Sequence, residues 1–399
     1  MLSGVKVICV DVFLAGPFAS RMLAELGADV VKVEHISRGD PYRYLEHRYD
    51  DGTPDDLTHR FAQYNRGKRS LALDLKSEEG KEVFESLAAD ADIILENLRP
   101  NKMSEFGLGY EDVREYNEDV IYCSISGYGE TGPYNDRGGI DTLIQAMSGV
   151  VHQNSADAGG PALTGVYLAD ITGSMYATIS VLAALVGRYN GEGGQHIDLS
   201  LLDGLVSLLN HEAAQYSAEG TAPPEIRSSL VPQGVYETAD GAVALNVLDK
   251  DWDDFCEVLG FDEWRDSERF DTPLARQHHK DEIDAAVEER LSDRPTEAWV
   301  EELLARDVLV APMQTVDEAF EDDAVQFRGI VNRRHQDGIG EHVELEYPAR
   351  FDDYAPVTED APRFGEHTEE ILAEIGFSPA EIEALCERGI VKRWQDLEK

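Results

Sequence analysis

Short apolar runs alternate with amphipathic helical patterns through the first third of the chain. Residues 5–10 and 29–34 are rich in valine and isoleucine and predict buried strands. Between them, residues 17–26 have helical spacing that begins with Pro17 and is ended by Gly27. Three further strands are predicted at residues 71–75, 92–97 and 120–126, with an amphipathic helix at residues 79–89. This alternation indicates βαβ units and a parallel sheet.

The middle of the chain carries the longest helical pattern, at residues 168–189, where small and apolar side chains dominate. A glycine-rich turn ends it before a short strand at residues 196–199. The texture changes after about residue 220, where Pro223 and Pro224 mark a linker. Residues 234–248 then alternate around Asp240 and Gly241 as in a hairpin, and residues 252–259 are helical. We interpret residues 227–320 as a smaller domain.

The C-terminal segment at residues 371–389 is helical again, with a break where Ser378 can cap a new helix that starts with Pro379. A chain of 399 residues exceeds the usual size of one hydrophobic core, which agrees with two domains. The longest apolar runs are shorter than the roughly 20 residues that a bilayer requires, and no signal-peptide pattern opens the chain. We therefore expect a cytoplasmic protein with no membrane partner. Four widely spaced cysteines are expected to be reduced and buried: Cys9, Cys123, Cys256 and Cys386.

The charge balance changes this picture, because 79 acidic and 35 basic residues give a formal net charge of −44. The acidic residues are spread along helical patterns, which predicts a solvated acidic surface rather than an acidic tail. Such self-repulsion weakens a compact fold at low ionic strength and is screened in molar salt, so a halophilic cytoplasm would explain it. Nucleic acid is disfavoured as a partner, because no cluster of lysine and arginine provides a basic face.

A strand, a turn at Gly16, a helix and Glu34 at the end of the second strand together suggest a nucleotide-binding unit. Dinucleotide binding requires a G-x-G-x-x-G turn, however, and only Gly16 is present. P-loop, H-E-x-x-H and G-x-S-x-G motifs are also missing from the sequence. Adjacent His278 and His279 have the wrong spacing to bind one metal from a helix face. We expect a Rossmann-like sheet that binds no NAD, and no metal.

The segment from Asn65 to Lys76 reads NRGKRSLALDLK and is followed by EEG at residues 78–80. Shorter matching segments follow the same order along nearly the whole chain: AGP at 15–17, GDP at 39–41, SGYGETGP at 126–133, GQ at 194–195, DLSLLD at 198–203 and GEHT at 365–368. Together they closely resemble the class III CoA-transferases, the CaiB/BaiF family. This family includes formyl-CoA and carnitine CoA-transferases and the related α-methylacyl-CoA racemases.

The resemblance implies an α/β fold: a Rossmann-like parallel-sheet large domain built from both chain ends, plus a smaller α+β domain. We accordingly predict a large domain at 1–205, a linker at 206–226, a small domain at 227–320, and a return linker with the C-terminal part of the large domain at 321–399. The resemblance also implies a homodimer of two interlocked ring-shaped subunits.

Within this resemblance, Asp170 occupies the position of the family's covalent nucleophile. From residue type alone, Asp170 would be interpreted as the N-cap of the helix that follows it. The two interpretations agree, because a helix N-terminus favours an ionised carboxylate by about 0.3–1 kcal/mol, and an ionised carboxylate must attack the thioester. Gly173 and Ala177 are expected to leave room for substrate.

The implied mechanism passes through a mixed anhydride and an aspartyl-CoA thioester. Relatives stabilise the oxyanion with a glycine-rich loop of the small domain, whereas residues 227–234 here read RSSLVPQG and carry one glycine. CoA is expected as a thioester substrate, with no tightly bound cofactor. The resemblance places CoA on eight residues: Ala15, Gly16, Arg38, Leu73, Lys76, Asn97, Leu98 and Arg137. The lysine and the two arginines among them suit the phosphates of CoA.

Substrate identity is predicted from nearby charge. Arg43, His47 and Arg48 follow Gly39 and Asp40 near the expected cleft and could hold a second carboxylate. This predicts a short dicarboxylic acid as acceptor, and with the halophilic interpretation it suggests succinyl-CoA as donor and mesaconate or a related C5 acid as acceptor.

Two alternatives stay open at this point. An α-methylacyl-CoA racemase would need two acid–base groups, and such relatives read Gly-His-Asp where this chain has Ile140 between Gly139 and Asp141. Ile140 cannot carry a proton, although His152 could take that place from an unusual loop. A non-catalytic CoA-binding protein is the second alternative, and Asp170 in its matched position argues against it.

Overall fold

Two compact units make up the computed structural model, which describes residues 1–45, 57–155, 159–221, 230–357 and 359–396. The larger unit comprises Met1–Glu225 and Gly329–Lys399, and the smaller one Ile226–Arg328. The strands, in chain order, are β1 (Lys6–Val10), β2 (Asp29–His35), β3 (Arg69–Leu73), β4 (Ile93–Glu96), β5 (Ile121–Ser126), β6 (Gln195–Ser200), β7 (Gln233–Glu237), β8 (Ala242–Asn246), β9 (Leu309–Pro312), β10 (Val331–Gln336), β11 (Gly340–Leu345) and β12 (Val391–Lys392).

Helices separate most of these strands along the chain. They are α1 (Ala15–Glu25), α2 (His59–Asn65), α3 (Glu78–Ala88), α4 (Lys102–Glu105), α5 (Tyr110–Arg114), α6 (Asp141–Ser148), α7 (Val150–Asn154), α8 (Leu168–Tyr189), α9 (Leu201–Val206), α10 (Asn210–Glu219), α11 (Trp252–Leu259), α12 (Asp262–Arg265), α13 (Pro273–His278), α14 (Lys280–Leu291), α15 (Thr296–Leu304), α16 (Val316–Glu321), α17 (Asp323–Arg328), α18 (Thr368–Glu374) and α19 (Pro379–Glu387). Short 3₁₀ turns lie at Pro41–Arg43, Asp249–Asp251 and Trp394–Asp396.

The central sheet of the larger unit has seven strands in the order β12-β3-β2-β1-β4-β5-β6. Its pairings are parallel except that of β12 with β3, which is antiparallel. The predicted α/β class with a mostly parallel sheet is thus confirmed. The order from β3 to β6 is that of a doubly wound Rossmann sheet, in which strand order reverses between β1 and β4 and ligands bind outside the carboxyl ends of the strands.

Alternate residues of each strand face two separate cores. On one side, Val7 and Cys9 of β1 pack with α1, α6, α8 and α9; on the other, Ile8 and Val10 pack with α3, α18 and α19. Covering both faces explains the continuous apolar runs that predicted these strands. Helix α8 is by length and composition apolar enough to cross a membrane, but half of its most apolar window is buried inside the structure.

The smaller unit is built on a three-stranded antiparallel sheet in the order β7-β8-β9. Its core includes the fully buried Phe255, Val287 and Trp299 from α11, α14 and α15. The hairpin predicted around Asp240 and Gly241 is β7–β8, with the turn between them.

The larger unit also contains elements near the predicted domain junctions. Helix α10 lies in the segment that we interpret as a linker, and none of its residues is buried. The hairpin β10–β11 was not predicted; it belongs to the same compact unit as the parallel sheet. Near the C-terminus, Ser378 caps α19 as predicted, accepting a hydrogen bond from the amide of Glu381 while that glutamate's side chain accepts from the amide of Ser378.

Candidate active site

Asp170 lies in the first turn of α8, on the larger unit. The helix begins at Leu168, with Tyr167 at the N-cap position, so the interpretation of Asp170 as the N-cap is wrong. Among the described residues, no hydrogen bond or ion pair reaches the Asp170 carboxylate, whose backbone carbonyl accepts a hydrogen bond from Ser174 Oγ at 2.7 Å. The helix therefore fixes the backbone of Asp170, and both carboxylate oxygens stay available for chemistry.

A second aspartate supplies the cap that Asp170 does not. The amide of Ala169 donates to Asp141 Oδ1 at 2.7 Å, and Gln145 Nε2 donates to Asp141 Oδ2 at 2.6 Å. Gln145 Oε1 in turn accepts from the amide and the hydroxyl of Thr164, each at 3.0 Å. Because Asp141 starts α6 and is buried, these bonds fix the start of α8 to α6 and to the segment that precedes it.

The electrostatic setting of Asp170 is that of a reactive carboxylate. Burial raises its pKa to about 7, and the negative charge of Asp141 contributes to the rise. A carboxyl group with a pKa near 7 is ionised in about half of the molecules at neutral pH, and its ionised form is more basic than an ordinary aspartate. Perturbation of this kind, on a partly exposed group, is typical of functional sites.

Gly173 and Ala177 do not leave room for substrate. A Cβ on Gly173 would meet Leu201 Cδ2, so the glycine permits α8 to pack closely on α9. Ala177 is fully buried in the core between the sheet and the helices. Both residues lie on the packed face of α8, and the prediction about them is wrong.

An aromatic cluster packs against the start of α8. Ile171, the residue after Asp170, belongs to the same apolar cluster as Tyr42 and Tyr64. The rings of Tyr42 and Tyr64 are 6.0 Å apart, and that of Phe13 meets Tyr42 edge-on at 5.7 Å. Phe13 has a left-handed backbone with φ of 63°, which is costly for a bulky residue and typical of functional sites.

The crevice between β1 and β4 contains four of the residues predicted to bind CoA. Ala15 and Gly16 begin α1, and Asn97 exchanges hydrogen bonds with both the amide and the carbonyl of Val12, at 2.8 and 2.9 Å. A Cβ on Gly16 would lie 2.9 Å from Asn97 Cγ and 2.6 Å from Asp11 Cβ, so only glycine permits this approach. Leu98 follows Asn97 directly.

A cavity of about 270 Å³ opens at the carboxyl ends of β1 to β4. Its lining includes Leu73, Lys76 and Leu98, which the resemblance assigns to CoA, together with His35 and Lys102. The lining combines apolar walls with basic groups, as an adenine ring and its phosphates require, and it also includes the carboxylates of Asp11, Glu34, Asp40 and Asp74. Three of these are paired with buried cations, Asp11 and Asp40 with Lys32 and Glu34 with Arg43. Lys102 was not predicted; its signal was a lysine placed soon after a strand of the parallel sheet.

The two predicted phosphate ligands Arg38 and Arg137 are exposed and do not line this cavity. The guanidinium carbon of Arg137 lies 3.7 Å from the centroid of the Tyr134 ring, and that of Arg38 lies 6.0 Å from the Tyr44 ring. Their assignment to CoA stays a prediction.

The structure does not present Arg43 to a substrate. It is buried, and its guanidinium donates to both oxygens of Glu34, at 2.6 and 2.8 Å, and to the carbonyl of Pro362. Its guanidinium carbon also lies 3.6 Å from the Phe61 ring centroid. Glu34 is thus the partner of Arg43 in the fold, and we do not retain Arg43 as a substrate ligand. His47 and Arg48 lie outside the described residues, as do residues 227–229 of the segment that was compared with the glycine-rich loop.

Comparison with known proteins identifies the family of the chain. The sequence profile described as CoA-transferase family III matches residues 2–368. A succinate–glutarate CoA-transferase of Agrobacterium fabrum is 35% identical, over 94% of this chain and 95% of that protein. A succinyl-CoA:mesaconate CoA-transferase of Haloarcula hispanica is 32% identical, over 94% and 96%.

A solved structure supports the same match. The crystal structure of a CAIB/BAIF family protein from Brucella suis superposes with a TM-score of 0.85 at 33% identity, covering 94% of this chain and 99% of that one. The likeness therefore extends over nearly the whole chain, and the resemblance inferred from short motifs is confirmed.

Proposed function

Because the chain belongs to CoA-transferase family III, and is an enzyme of that class, we propose that it moves CoA from succinyl-CoA to a short dicarboxylic acid through a covalent intermediate on Asp170. One observation carries the residue assignment: the half-buried Asp170 carboxylate, with no intramolecular partner among the described residues, lies beside an aromatic cluster at the start of a helix that Asp141 fixes.

The proposed chemistry needs no oxidant or metal. A carboxylate oxygen of Asp170 attacks the thioester carbonyl, the C–S bond breaks, and a mixed anhydride forms with release of the CoA thiolate. The thiolate then attacks Asp170 Cγ, which frees the first acid and leaves an aspartyl-CoA thioester. The acceptor carboxylate then attacks Asp170 Cγ and the C–S bond breaks, which gives a second mixed anhydride and the CoA thiolate. The thiolate attacks the acyl carbon of the acceptor, which forms the new CoA thioester and releases the Asp170 carboxylate.

The position of Asp170 suits this series of reaction steps. Its raised pKa marks an oxygen that is more basic, and so a better nucleophile, than an ordinary aspartate, while enough of it is ionised at neutral pH to react. Because Asp141 already accepts the hydrogen bond from the Ala169 amide, that helix amide does not hold the lone pairs that must attack.

Relatives support the choice of substrates. The names of the two relatives combine a succinyl or succinate group with glutarate or mesaconate, which are five-carbon dicarboxylic acids. The mesaconate enzyme comes from a Haloarcula species, and the acidic surface of this chain makes mesaconate the acceptor to test beside glutarate.

Mass spectrometry tests the proposal. The protein is incubated with succinyl-CoA in molar KCl, treated with hydroxylamine or borohydride, and mapped as peptides. We expect a modified Asp170 peptide that is absent from Asp170→Asn, which keeps the shape of the side chain and removes the nucleophile. If no adduct forms and solvent deuterium instead enters an α-methylacyl-CoA, the enzyme is a racemase; Ile140, exposed before α6, argues against that outcome because it cannot carry a proton.

We also propose that two copies associate. Large apolar side chains are exposed along α6 and α8, among them Leu143, Met147, Met175, Ile179 and Val186. Several large apolar side chains exposed on each of two helices are typical of a protein interface rather than of a solvated face. Sedimentation in molar KCl should give a dimer of about twice 44.2 kDa, and a monomer at all concentrations would contradict the proposal.

A further inference from the structure

Arg60 lies on the short helix α2, close to the aromatic cluster beside Asp170. Its backbone is fixed by the helix start, where the Thr58 hydroxyl accepts from the amide of Phe61 at 3.0 Å. The Arg60 guanidinium carbon lies 5.2 Å from the centroid of the Tyr42 ring, and the residue is partly exposed. A guanidinium therefore stands over one of the two phenol rings that pack against the start of α8.

The two phenol rings connect Arg60 with the nucleophile. Tyr42 and Tyr64 are 6.0 Å apart, and both belong to the cluster that includes Ile171, the neighbour of Asp170. The buried ring of Tyr42 and the partly exposed ring of Tyr64 thus lie close to both Asp170 and Arg60. Apolar walls between two charged groups suit a short carbon chain that carries a carboxylate at each end.

The electrostatics agree that the two phenol rings lie near both charged groups. Burial is the main reason that the pKa values of Tyr42 and Tyr64 are raised, and for both phenols the charge of Arg60 opposes the rise while that of Asp170 adds to it. The pKa of Asp170 itself responds to burial and to Asp141, and Arg60 is not among its causes. Both phenols therefore lie within reach of both charges, whereas the two charges do not form a pair with each other.

We infer that Arg60 is a specificity-determining residue: it binds the distal carboxylate of a dicarboxylic acid whose other carboxyl group reacts at Asp170, with Tyr42 and Tyr64 lining the carbon chain between. This rests on the proposed function. Arginine suits the task because its planar guanidinium pairs with a carboxylate through two parallel hydrogen bonds. Arg43, the arginine that the sequence suggested for this role, is occupied by Glu34.

The test compares dicarboxylic and monocarboxylic acceptors of equal length, glutarate and valerate, with succinyl-CoA as donor in molar KCl. In Arg60→Gln we expect kcat/KM for glutarate to fall about 10- to 100-fold, which is what loss of a charge-assisted hydrogen bond produces. The value for valerate should change less than about threefold, because that acid never reaches Arg60. Arg60→Lys keeps the positive charge but loses the planar guanidinium that can form two parallel hydrogen bonds, and should retain part of the preference for glutarate.

Arg114→Gln is the matched control. It also removes a guanidinium that lies over a tyrosine ring, 5.9 Å from the centroid of Tyr110, and changes the net charge equally, but on α5. Its ratio of kcat/KM for the two acids should equal that of the unaltered enzyme. Thermal unfolding of each variant separates loss of fold from loss of selectivity.

The outcomes distinguish this inference from the proposed function. If the unaltered enzyme transfers CoA to neither acid, the proposed function fails and the inference fails with it. If transfer occurs and Arg60→Gln lowers kcat/KM for both acids equally, or for neither, Arg60 plays no part in selectivity and the inference alone is overturned.

Discussion

At the start of α8 two aspartates have different roles: Asp141 caps the helix, and Asp170 is left as the proposed nucleophile. Asp141 accepts the hydrogen bond from the Ala169 amide, and Asp170, two positions further on from the N-terminal residue Leu168, accepts none from the described residues. A capping carboxylate is stabilised in its ionised form by the amide it binds, which makes it a poorer nucleophile. Separating the cap from the proposed nucleophile leaves Asp170 basic, and the charge of Asp141 adds to that basicity.

This separation predicts a pH effect. Transfer requires ionised Asp170, so kcat/KM should fall as the pH drops through about 7, the value to which burial and Asp141 raise its pKa. Asp141→Asn removes the neighbouring negative charge and should lower that pKa, because the ionised form is then less disfavoured. We expect the acidic limb of the pH profile of kcat/KM to move down by about one pH unit, while staying above the range of an ordinary aspartate because burial persists.

Gln145→Leu provides the control for that measurement. It breaks the hydrogen bonds to Asp141 and Thr164 but keeps the charge of Asp141. Any loss of activity from a loosened helix start should then appear in kcat/KM at every pH, with the limb in its original place. An equal shift of the limb in both variants would show that packing, and not the charge of Asp141, sets the pKa of Asp170.

The motif at residues 65–76, from which the family was inferred, serves mainly to join secondary-structure elements to one another. Lys68 Nζ donates to Asn65 and to the Pro17 carbonyl and lies 3.8 Å from Asp11; Arg69 pairs with Asp29 of β2 and with Glu374 of α18. Ser70 donates to Glu34. Only the end of the motif, from Leu73 onward, lines the cavity assigned to CoA. The bonds of Lys68, Arg69 and Ser70 hold β3 in place, so the residues at its carboxyl end lie along the cavity.

A buried ionic cluster connects α1 and α2 with the hairpin β10–β11. Arg66 pairs with Glu25 and lies 3.9 Å from Glu344, and Arg21 donates to Glu25 at 2.8 Å and to the Leu345 carbonyl at 2.6 Å. All four charged side chains are buried. Each buried glutamate here is paired with at least one arginine, as buried charges require, and Glu344 also bonds to Arg334 and His342. Arg66 Nε and Nη1 have no hydrogen-bond partner among the described residues. The position of the hairpin depends on this pairing rather than on apolar contacts alone.

The turn from β1 into α1 makes an element-scale prediction. Gly16→Ala would push a methyl group against Asn97 Cγ and Asp11 Cβ and displace the start of α1 from the crevice. We expect a loss of about 1–3 kcal/mol of stability from overpacking, together with a rise of at least tenfold in KM for succinyl-CoA. Thermal unfolding and steady-state kinetics measure the two effects.

Gly204→Ala is the matched substitution, because a Cβ on that glycine of α9 would make only ordinary contacts, 3.7 Å from Thr172 and 3.8 Å from Tyr176. Replacing a helical glycine by alanine should leave KM unchanged and raise stability by up to about 1 kcal/mol. If Gly16→Ala also left KM unchanged, the crevice between β1 and β4 would not be part of the CoA site.

The same elements show how far the sequence could be interpreted. Helix α8 matches its predicted bounds, and the strands of the parallel sheet lie within about two residues of theirs, because burial on both faces leaves long apolar runs. Strand β12 is two residues long and joins β3 only through the return of the chain, so it has no periodic signal. Hairpin β10–β11 carries mostly polar residues and was missed for the same reason.

Some of the candidate site residues could be named from the sequence, and others could not. Asp170 and the predicted CoA residues after β1, β3 and β4 were proposed from motifs, which can be recognised along the chain. Asp141, Tyr42 and Arg60 lie on separate segments that only folding brings toward α8, and no spacing in the sequence signals their proximity. Arg43 shows the converse, since an arginine beside a motif proved to be a buried partner of Glu34.

For the molecule as a whole, charge is distributed unevenly between interior and surface. Buried acids such as Asp11 and Glu34 have cationic partners, Lys32 at 2.5 Å and Arg43 at 2.6 Å. The excess of acidic residues that gives the net charge of −44 therefore lies on the surface, for example along α14 and α16. Repulsion among such exposed charges opposes the folded state, whose surface holds them closer together than the unfolded chain does.

This distribution predicts that salt stabilises the protein. Raising KCl from 0.1 to 1 M shortens the Debye length from about 10 to about 3 Å, which screens the exposed acids but hardly affects the buried pairs. If screening relieves about 2–3 kcal/mol of repulsion, the Tm of the larger unit should rise by roughly 3–5 °C. Differential scanning calorimetry at fixed protein concentration measures the rise. Sucrose at equal osmolality stabilises by exclusion from the protein surface without screening charge, so the rise in KCl should differ from the rise in sucrose by the contribution of screening. A Tm that is unchanged or lower in KCl would mean that surface ion pairs, such as Arg306 with Asp254 and Glu257, contribute more than the repulsion does.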